Sequence, residues 1–578
     1  MVMRANQDTR NIRYSAEESP PTTLAAGLGF QVVILIIAGI ILTPAIVMRS
    51  ADQSANVTEW VVFAGLIVCG LTTMLQAHPL GRFGAGYTLF VGTSGAFIAI
   101  SIDAVKAGGV PLLASLVIAS ALIQFLFSHY LGQLRKIITP TIGGTIILLI
   151  AVTVFPIAFD LINQHPGGDE VPAVAGPAIA ISTFIFIMGV SMFGAGKYKL
   201  WGPLLGVITG TLVAIYYGAM DFSGVNDATW IGLPEAGWPG IDVSFSTDFW
   251  LLLVPFVLVT IVGAIETYGD GVAIQRLSHR DKRAIDFKAV QGAVNADGVG
   301  NLLSGVMGTM PNTTYSTSLS VVDLTGVASR KVGVFGGGFL LLIAFCPKIA
   351  ALLLAIPGPV AGAYIAVLLI LLFLHGLKLI AEDGLTFDNG LIVCTSFWLA
   401  TGFQSQSIFH EFLPQWARGL LDNGMTAGGL LAIVMMILLK LKDKPKRRLE
   451  LPAEITSVLD VQAFVLDRAK KLGWDKRACM RLELVAEEAM AFLFDGQTRS
   501  SDKKIGVALS SEEDVMILEF VAGPTVANFD NLLQKASTKE PTEQSVGLRL
   551  LSGLCDDCKH MQFNNIDVLT VSLRSKAL

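Results

Sequence analysis

Fourteen apolar runs, most of them near the length of a membrane crossing, fill residues 24–441 of this chain. A hydrocarbon core takes about 20 residues of helix to cross, and lipid offers no partner for an unpaired backbone group. Such a pattern predicts an α-helical polytopic membrane protein. Composition agrees: the chain is 53% hydrophobic and 15% charged, where soluble domains carry about 25% charged residues. A net charge of −5 over 578 residues leaves no basic footprint for nucleic acid. Residues 1–23 are polar, carry Arg4, Arg10 and Arg13, and run straight into a full-length span. They read as a cytoplasmic tail rather than a cleavable leader.

Two runs are short and rich in Gly, Ser and Thr, at 86–102 and 315–328. They are the third and the tenth, which correspond if the chain is two halves of seven. Short, interrupted spans at matching places point to an inverted-repeat transporter with its site between them. Basic residues fix an expected orientation. The N-terminal tail, the flank KLKDKPKRR after the last run, and the cluster from Arg276 to Lys288 fall on one side, while the 221–247 loop on the other has no Lys or Arg. Both termini are therefore expected in the cytoplasm, with the chain in the cytoplasmic (inner) membrane.

The eighth run, WLLLVPFVLVTIVGAIETYGDG, ends in two acids, Glu266 and Asp270. An ionised carboxylate at bilayer depth costs at least about 2.5 kcal/mol, so Glu266 is expected to face a cavity or a partner. Asp270 follows at i+4, on the same helical face. Two carboxylates together and away from water resist ionising at once, which suits reversible proton uptake. A headgroup position with both acids solvated is the alternative, and it fits Asp270 better than Glu266.

These residues resemble the nucleobase–ascorbate transporters, the xanthine/uracil permease family. Glu266 and Asp270 match its eighth-span acid pair. Ala296-Asp-Gly-Val-Gly-Asn-Leu-Leu-Ser-Gly305 is similar to the A-D-G-x-G pattern of its ninth span, and Pro311-Asn-Thr-Thr-Tyr315, running on to LTGVASRKVG, is similar to the PNTTY of uracil permeases. The resemblance implies fourteen transmembrane segments as two inverted repeats of seven, arranged as core and gate domains, with strands in spans 3 and 10 meeting at mid-membrane. It carries over Ser94 and Gly95, with Thr93, on one crossing segment and Tyr315, Ser316 and Thr317 on the other, Gln31 in the first span, and Asp297 as a third candidate for proton coupling. Where relatives carry Glu or Gln after PNTTY, this chain has Thr317, and Gly95 replaces a frequent Phe. A Thr cannot make the bidentate contact of a Glu or Gln, so a wider cavity is expected.

After the basic linker 442–452 the pattern changes to amphipathic helices and alternating strands, a small soluble α+β domain at 453–578. It resembles the anti-sigma-factor branch of histidine-kinase-type ATPases through Leu482-Glu-Leu-Val-Ala-Glu-Glu-Ala-Met-Ala-Phe492 and through SVGLRLLSGLCDD at 545–557. The magnesium-binding Asn of that family is Phe492 here, and its adenine-binding D-x-G is Val521-Ala522-Gly523. A degenerate regulatory domain is expected, cytoplasmic and without kinase activity, with a STAS-like protein as partner. Cys555 and Cys558 make one C-x-x-C pair, short of a four-ligand zinc site. The glycines from Gly333 to Gly338 lack a following Lys-Ser/Thr and read as close helix packing. No cofactor, metal or enzymatic role is expected.

Two functions follow. One is secondary-active, proton-coupled transport of a planar solute such as uracil, xanthine or urate, with sodium as the other candidate ion and, by resemblance, a homodimer in the lipid membrane. The other is a transporter-like sensor that signals through the C-terminal domain.

Overall fold

The structure is a computed structural model that describes residues 12–130, 139–167, 171–195, 197–280, 285–405, 407–408, 412, 421, 423–442, 447–452, 457–495, 504–512, 515–523, 550–551, 553–562 and 566–575. The chain forms two compact units, Met1–Arg280 with Gly292–Lys440 and Asp281–Gln291 with Leu441–Leu578.

The first unit begins with helices α1 (Thr22–Ser50) and α2 (Ala55–Ala77), the second capped by Ser54, whose hydroxyl accepts from Val57 N. Helix α1 is buried without a break from Ile36 to Met48, as an all-apolar helix enclosed by others should be. Strand β1 (Val91–Thr93) leads into α3 (Ile98–His129), which breaks at Gly108 and Gly109. Gly109 takes a φ of +70°, which glycine tolerates and a side chain resists; Pro111 follows it. The break falls between the third and fourth apolar runs.

Helices α4 (Pro140–Asn163), α5 (Ala175–Phe193), α6 (Lys197–Tyr216), α7 (Thr247–Leu277) and α8 (Phe287–Met307) precede the second short strand, β2 (Asn312–Thr314). Then come α9 (Thr317–Thr325), α10 (Arg330–Ala344), α11 (Pro347–Leu354), α12 (Gly358–Asp383), α13 (Phe387–Gln404) and α14 (Gly424–Lys442). Among the described residues, eight helices are long and apolar enough to cross a membrane, or nine if α10 and α11, bent 82° apart, make one span. Fewer helices pass than there are apolar runs because the third and fourth runs share α3, the tenth holds only the nine-residue α9, α8 and α13 carry several polar residues, and α14 has a shorter apolar stretch, Gly424–Leu439.

Glycine sets the closest helix contacts. A Cβ on Gly144 of α4 would lie 2.6 Å from Gly376 O of α12, and one on Gly376 would lie 2.8 Å from Gly144 O. Gly70 of α2 and Gly337 of α10 repeat the arrangement at 2.8 and 2.6 Å. Lipid supplies no hydrophobic drive between helices, so close van der Waals packing across small residues holds them.

In the second unit, β3 (Arg447–Pro452), β4 (Lys504–Glu512), β5 (Val515–Ala522), β6 (Asp557–Gln562) and β7 (Asp567–Arg574) form an antiparallel sheet in the order β3-β4-β5-β7-β6. Helices α15 (Ser457–Lys471) and α16 (Lys476–Asp495) pack their apolar stripes, Val461, Val465 and Ala469 on α15, into one core with Val507, Leu518, Phe520 and Val571 of the strands. Residues 447–452, part of the stretch assigned to the linker by composition, are instead the edge strand β3. Its charges suit an edge, where basic residues discourage pairing with other chains, and that is why charge content alone read as linker. Residues 545–549 and 552 of 545–557, the second piece of the ATPase resemblance, lie outside the described residues.

Candidate functional site

The two short strands cross as an antiparallel pair, with Val91 opposite Thr314, Gly92 opposite Thr313 and Thr93 opposite Asn312. Main-chain bonds extend the ladder at both ends: Ser94 N donates to Pro311 O at 2.9 Å and Tyr315 N to Phe90 O at 2.8 Å. The Tyr315 hydroxyl then reaches back to Thr93 O at 2.8 Å. Thr93 Oγ1 donates to Gly39 O and Ile40 O of α1 at 3.1 and 3.2 Å. Irregular backbone inside a membrane protein persists where its polar groups are paired or line a cavity. The helical turn Gly95–Phe97 that opens into α3 and helix α9 both begin at the crossing. Their N-terminal amides therefore converge there, where helices have donors without intrahelical partners.

A cavity of about 390 Å³ lies against this crossing. Thr93, Ser94 and Gly95 form one part of its wall, residues Thr313 to Thr317 another, and Glu266 enters from α7. Leu35, Ile36, Gly39 and Thr43 of α1 close one side; Leu200 and Pro203 of α6 and a face of α12 from Tyr364 to His375 close the other. The Tyr315 and Tyr364 hydroxyls both flank Gly39, 3.1 and 3.3 Å from where a Cβ would stand.

The three acids are placed differently. Glu266 lines the cavity and is half-buried. Asp270, one turn on, is 6% exposed and does not line it. Thr314 Oγ1 donates to Asp270 Oδ2 at 2.8 Å and Ser316 Oγ to Oδ1 at 3.0 Å, so α7 is pinned to β2 and to the start of α9. Asp297 on α8 is buried away from the cavity and accepts from Gln124 Nε2 at 2.8 Å. Gln124 Oε1 accepts from Asn301 Nδ2 at 2.9 Å, and Asn301 Oδ1 from Asn312 N at 2.7 Å. A chain of hydrogen bonds thus joins α3, α8 and β2.

Of the residues singled out from the sequence, Glu266, Ser94, Gly95, Tyr315, Ser316 and Thr317 share this cavity. Gln31 does not: it sits on α1 one turn before Leu35, the first wall residue of that helix. Tyr364, His375, Gln124 and Asn301 were not anticipated. Tyr364, Leu368, Leu371 and His375 recur at helical spacing on one face of α12, and that spacing of two polar residues in an apolar span was the available signal. The cavity brings together hydroxyls, helix-end amides and one carboxylate inside a largely aliphatic box. Such a set suits a small flat polar solute, oriented by a few placed polar groups.

The sequence model of the xanthine/uracil permeases (Xan_ur_permease, Permease family) matches residues 25–408. The chain belongs to that family. It is 28% identical over 430 residues to a putative purine permease of Clostridium perfringens, covering 74% of this chain and 93% of that protein. It is 28% identical over 409 residues to the uric acid permease PucK of Bacillus subtilis, covering 71% and 94%. Among solved structures, the murine anion transporter Slc26a9 aligns with a TM-score of 0.50 at 13% identity, over 75% of this chain and 70% of that one; at that identity the likeness concerns fold. The protein is an integral membrane protein of a permease family and not an enzyme.

Proposed function

We propose that the chain is a secondary-active, proton-coupled transporter of a nucleobase such as uracil, xanthine or urate, or a related planar solute. The observation that carries this reading is Glu266 facing a cavity walled by two crossed strands and two helix N-termini. The solute's edge pairs with Glu266 and with the backbone and hydroxyl groups of Ser94, Gly95, Tyr315, Ser316 and Thr317. Glu266 takes up the coupled proton. Asp270, held by Thr314 and Ser316, links that event to the strands, and Asp297 ties α8 to β2 through Gln124 and Asn301.

The antiparallel meeting of β1 and β2, and the reciprocal approach of Gly144 and Gly376 on α4 and α12, support two inverted repeats of seven spans. In this reading the α12 face slides as part of a gate domain, and both termini are cytoplasmic. Purified protein in proteoliposomes tests it. Uptake of a purine or pyrimidine driven by an inward proton gradient supports the proposal, while saturable binding without flux favours the sensor reading, which Thr317 and the attached second unit also motivate.

The second unit acts as a regulatory, degenerate ATPase-like domain that docks a STAS-like protein. Phe492 takes the place of the magnesium-binding Asn, and its ring lies edge-on to His560 at 5.3 Å between centroids. Saturable binding of ATP with magnesium overturns the degenerate assignment.

A further inference from the structure

Residues 12–20 lie ahead of α1 and have no part in the reading above, yet they are firmly tied. Arg13 N and Tyr14 N donate to Gly326 O at 2.7 and 3.1 Å, Ala328 N to Tyr14 O at 2.8 Å, and Arg330 N to Ala16 O at 3.1 Å. Tyr14 and Val327 form a parallel bridge, and Ser329 Oγ donates to Glu18 O at 2.7 Å. Ala16 is 2% exposed.

Arg280, just beyond the end of α7, closes the arrangement. Its Nη1 and Nη2 donate to Glu18 Oε1 and Oε2, each at 2.7 Å, its Nε to Ile12 O at 2.9 Å, and Nη2 again to Arg13 O at 2.8 Å. An exposed ion pair alone contributes little. Here one planar guanidinium fixes a carboxylate and two carbonyls at once, a geometry lysine cannot copy.

The junction continues to both strands. Thr88 Oγ1 donates to Ser329 O at 2.8 Å and Ala328 O at 3.3 Å, and Arg330 Nε donates to Gly86 O. Residues 86–88 lead into β1. Residues 326–330 leave α9, whose first turn adjoins Ser316. The N-terminal tail, the exit of the helix carrying Glu266, the approach to β1 and the exit from α9 therefore meet at one knot.

We propose that residues 12–18 and Arg280 form a clasp that positions Glu266 against the crossed strands. Glu18 and Arg280 are positioning residues, acting on the solute through α7, β1 and α9 without touching it. This rests on the cavity at the crossing being the solute site.

Hydrogen exchange on the purified full-length protein tests the clasp without any solute. In Glu18→Ala and Arg280→Ala, exchange in residues 86–95 and 312–320 should rise about fivefold or more, as local opening becomes easier. The reversed pair, Glu18→Arg with Arg280→Glu, should recover little of that protection, because a carboxylate at 280 cannot donate to Ile12 O and Arg13 O. KM for uptake should rise about tenfold in the alanine variants, with Vmax per membrane-inserted molecule nearly unchanged. If exchange rises only within 12–20, or KM is unaltered, the clasp proposal is wrong. Should the alanine variants fail to accumulate, Arg280→Lys carries the same expectations, since it keeps the charge and loses the fork. Faster exchange at the strands together with no solute bound by the wild type would uphold the clasp and reject the transport reading.

Discussion

Gly92 and Tyr315 share one space: the tyrosine ring occupies the position where a side chain at residue 92 would begin. Because β1 and β2 run antiparallel with Gly92 opposite Thr313, the ring lies across its partner strand and its hydroxyl reaches Thr93 O. Replacing Gly92 by Ala forces that ring aside. Overpacking of this kind costs about 1–3 kcal/mol, and here the displaced group is part of the wall. The Gly92→Ala protein is expected to insert in the membrane and to lose the thermal shift that solute gives the wild type. A retained shift shows that the ring can move without harm.

Glu266 is the acid left facing the cavity. In Glu266→Gln the side chain keeps its length and much of its hydrogen-bonding reach but cannot exchange a proton at neutral pH. Solute exchange across proteoliposomes at equal pH should persist, whereas accumulation driven by a proton gradient should vanish. Accumulation at the wild-type level assigns the proton elsewhere.

Ser316 and Thr314 are the two hydroxyl donors to Asp270. Leaving a buried partner unpaired costs about 1–3 kcal/mol, so losing one should loosen α7 from the crossing. Ser316→Ala, whose hydroxyl also faces the cavity, is expected to raise KM about tenfold or more. Thr314→Val should give a smaller rise, since the single hydroxyl proton of Thr314 is shared between Asp270 Oδ2 and Thr267 Oγ1 and the methyl in its place preserves packing. Equal KM values in all three proteins show that Asp270 is held without these hydroxyls.

Thr317 stands where relatives carry a longer Glu or Gln. Thr317→Gln adds a side-chain amide at the start of α9, able to donate and accept along a base edge. Binding of uracil or xanthine is expected to tighten about tenfold, read by competition in a thermal-shift or uptake assay. Weaker binding identifies a solute larger than a nucleobase, which the short hydroxyl accommodates.

The clasp has a defined pH window. Hydrogen bonds from Arg280, then from Ser15 N, lower the Glu18 carboxyl from 4.5 to about 2. A folded-state value below the unfolded one means that the contribution of Glu18 is complete above pH 4.5 and is lost as pH falls from there toward 2. Exchange protection of residues 12–20, corrected for the intrinsic rate, should be flat from neutral pH down to about 5 and then decline. Any pH dependence of uptake near neutrality therefore originates outside the clasp. Loss of protection already between pH 7 and 5 assigns the sensitivity to another group.

The parts of this site that sequence made legible share a cause. Glu266 and Asp270 stand out because lipid excludes unpartnered acids, and the short runs 86–102 and 315–328 because they are rich in Gly, Ser and Thr. The strands themselves, at 91–93 and 312–314, begin two or three residues ahead of the crossing segments that the resemblance implies, 93–95 and 315–317. Tyr364 and His375 are masked in the sequence because the residues around them on α12 are mostly apolar on every face, so that only their shared helical spacing marks them. Gln124 lies on α3 and Asp297 and Asn301 on α8, so their hydrogen-bonded chain has no signature in any single segment. Gln31 was chosen by resemblance alone, and its turn of α1 stops short of the cavity. Strand β3 was hidden by its own charge: the alternation in Arg447-Arg-Leu-Glu-Leu451 is short and continuous with a basic flank.

The zipped meeting of β1 and β2 limits how such a site can ever open. Two short strands stitched by main-chain bonds, and buttoned by a tyrosine hydroxyl, cannot be peeled apart to let cargo through without breaking those stitches. In the transport proposed above, passage from one face of the bilayer to the other comes from travel of the opposing wall past an undivided cradle.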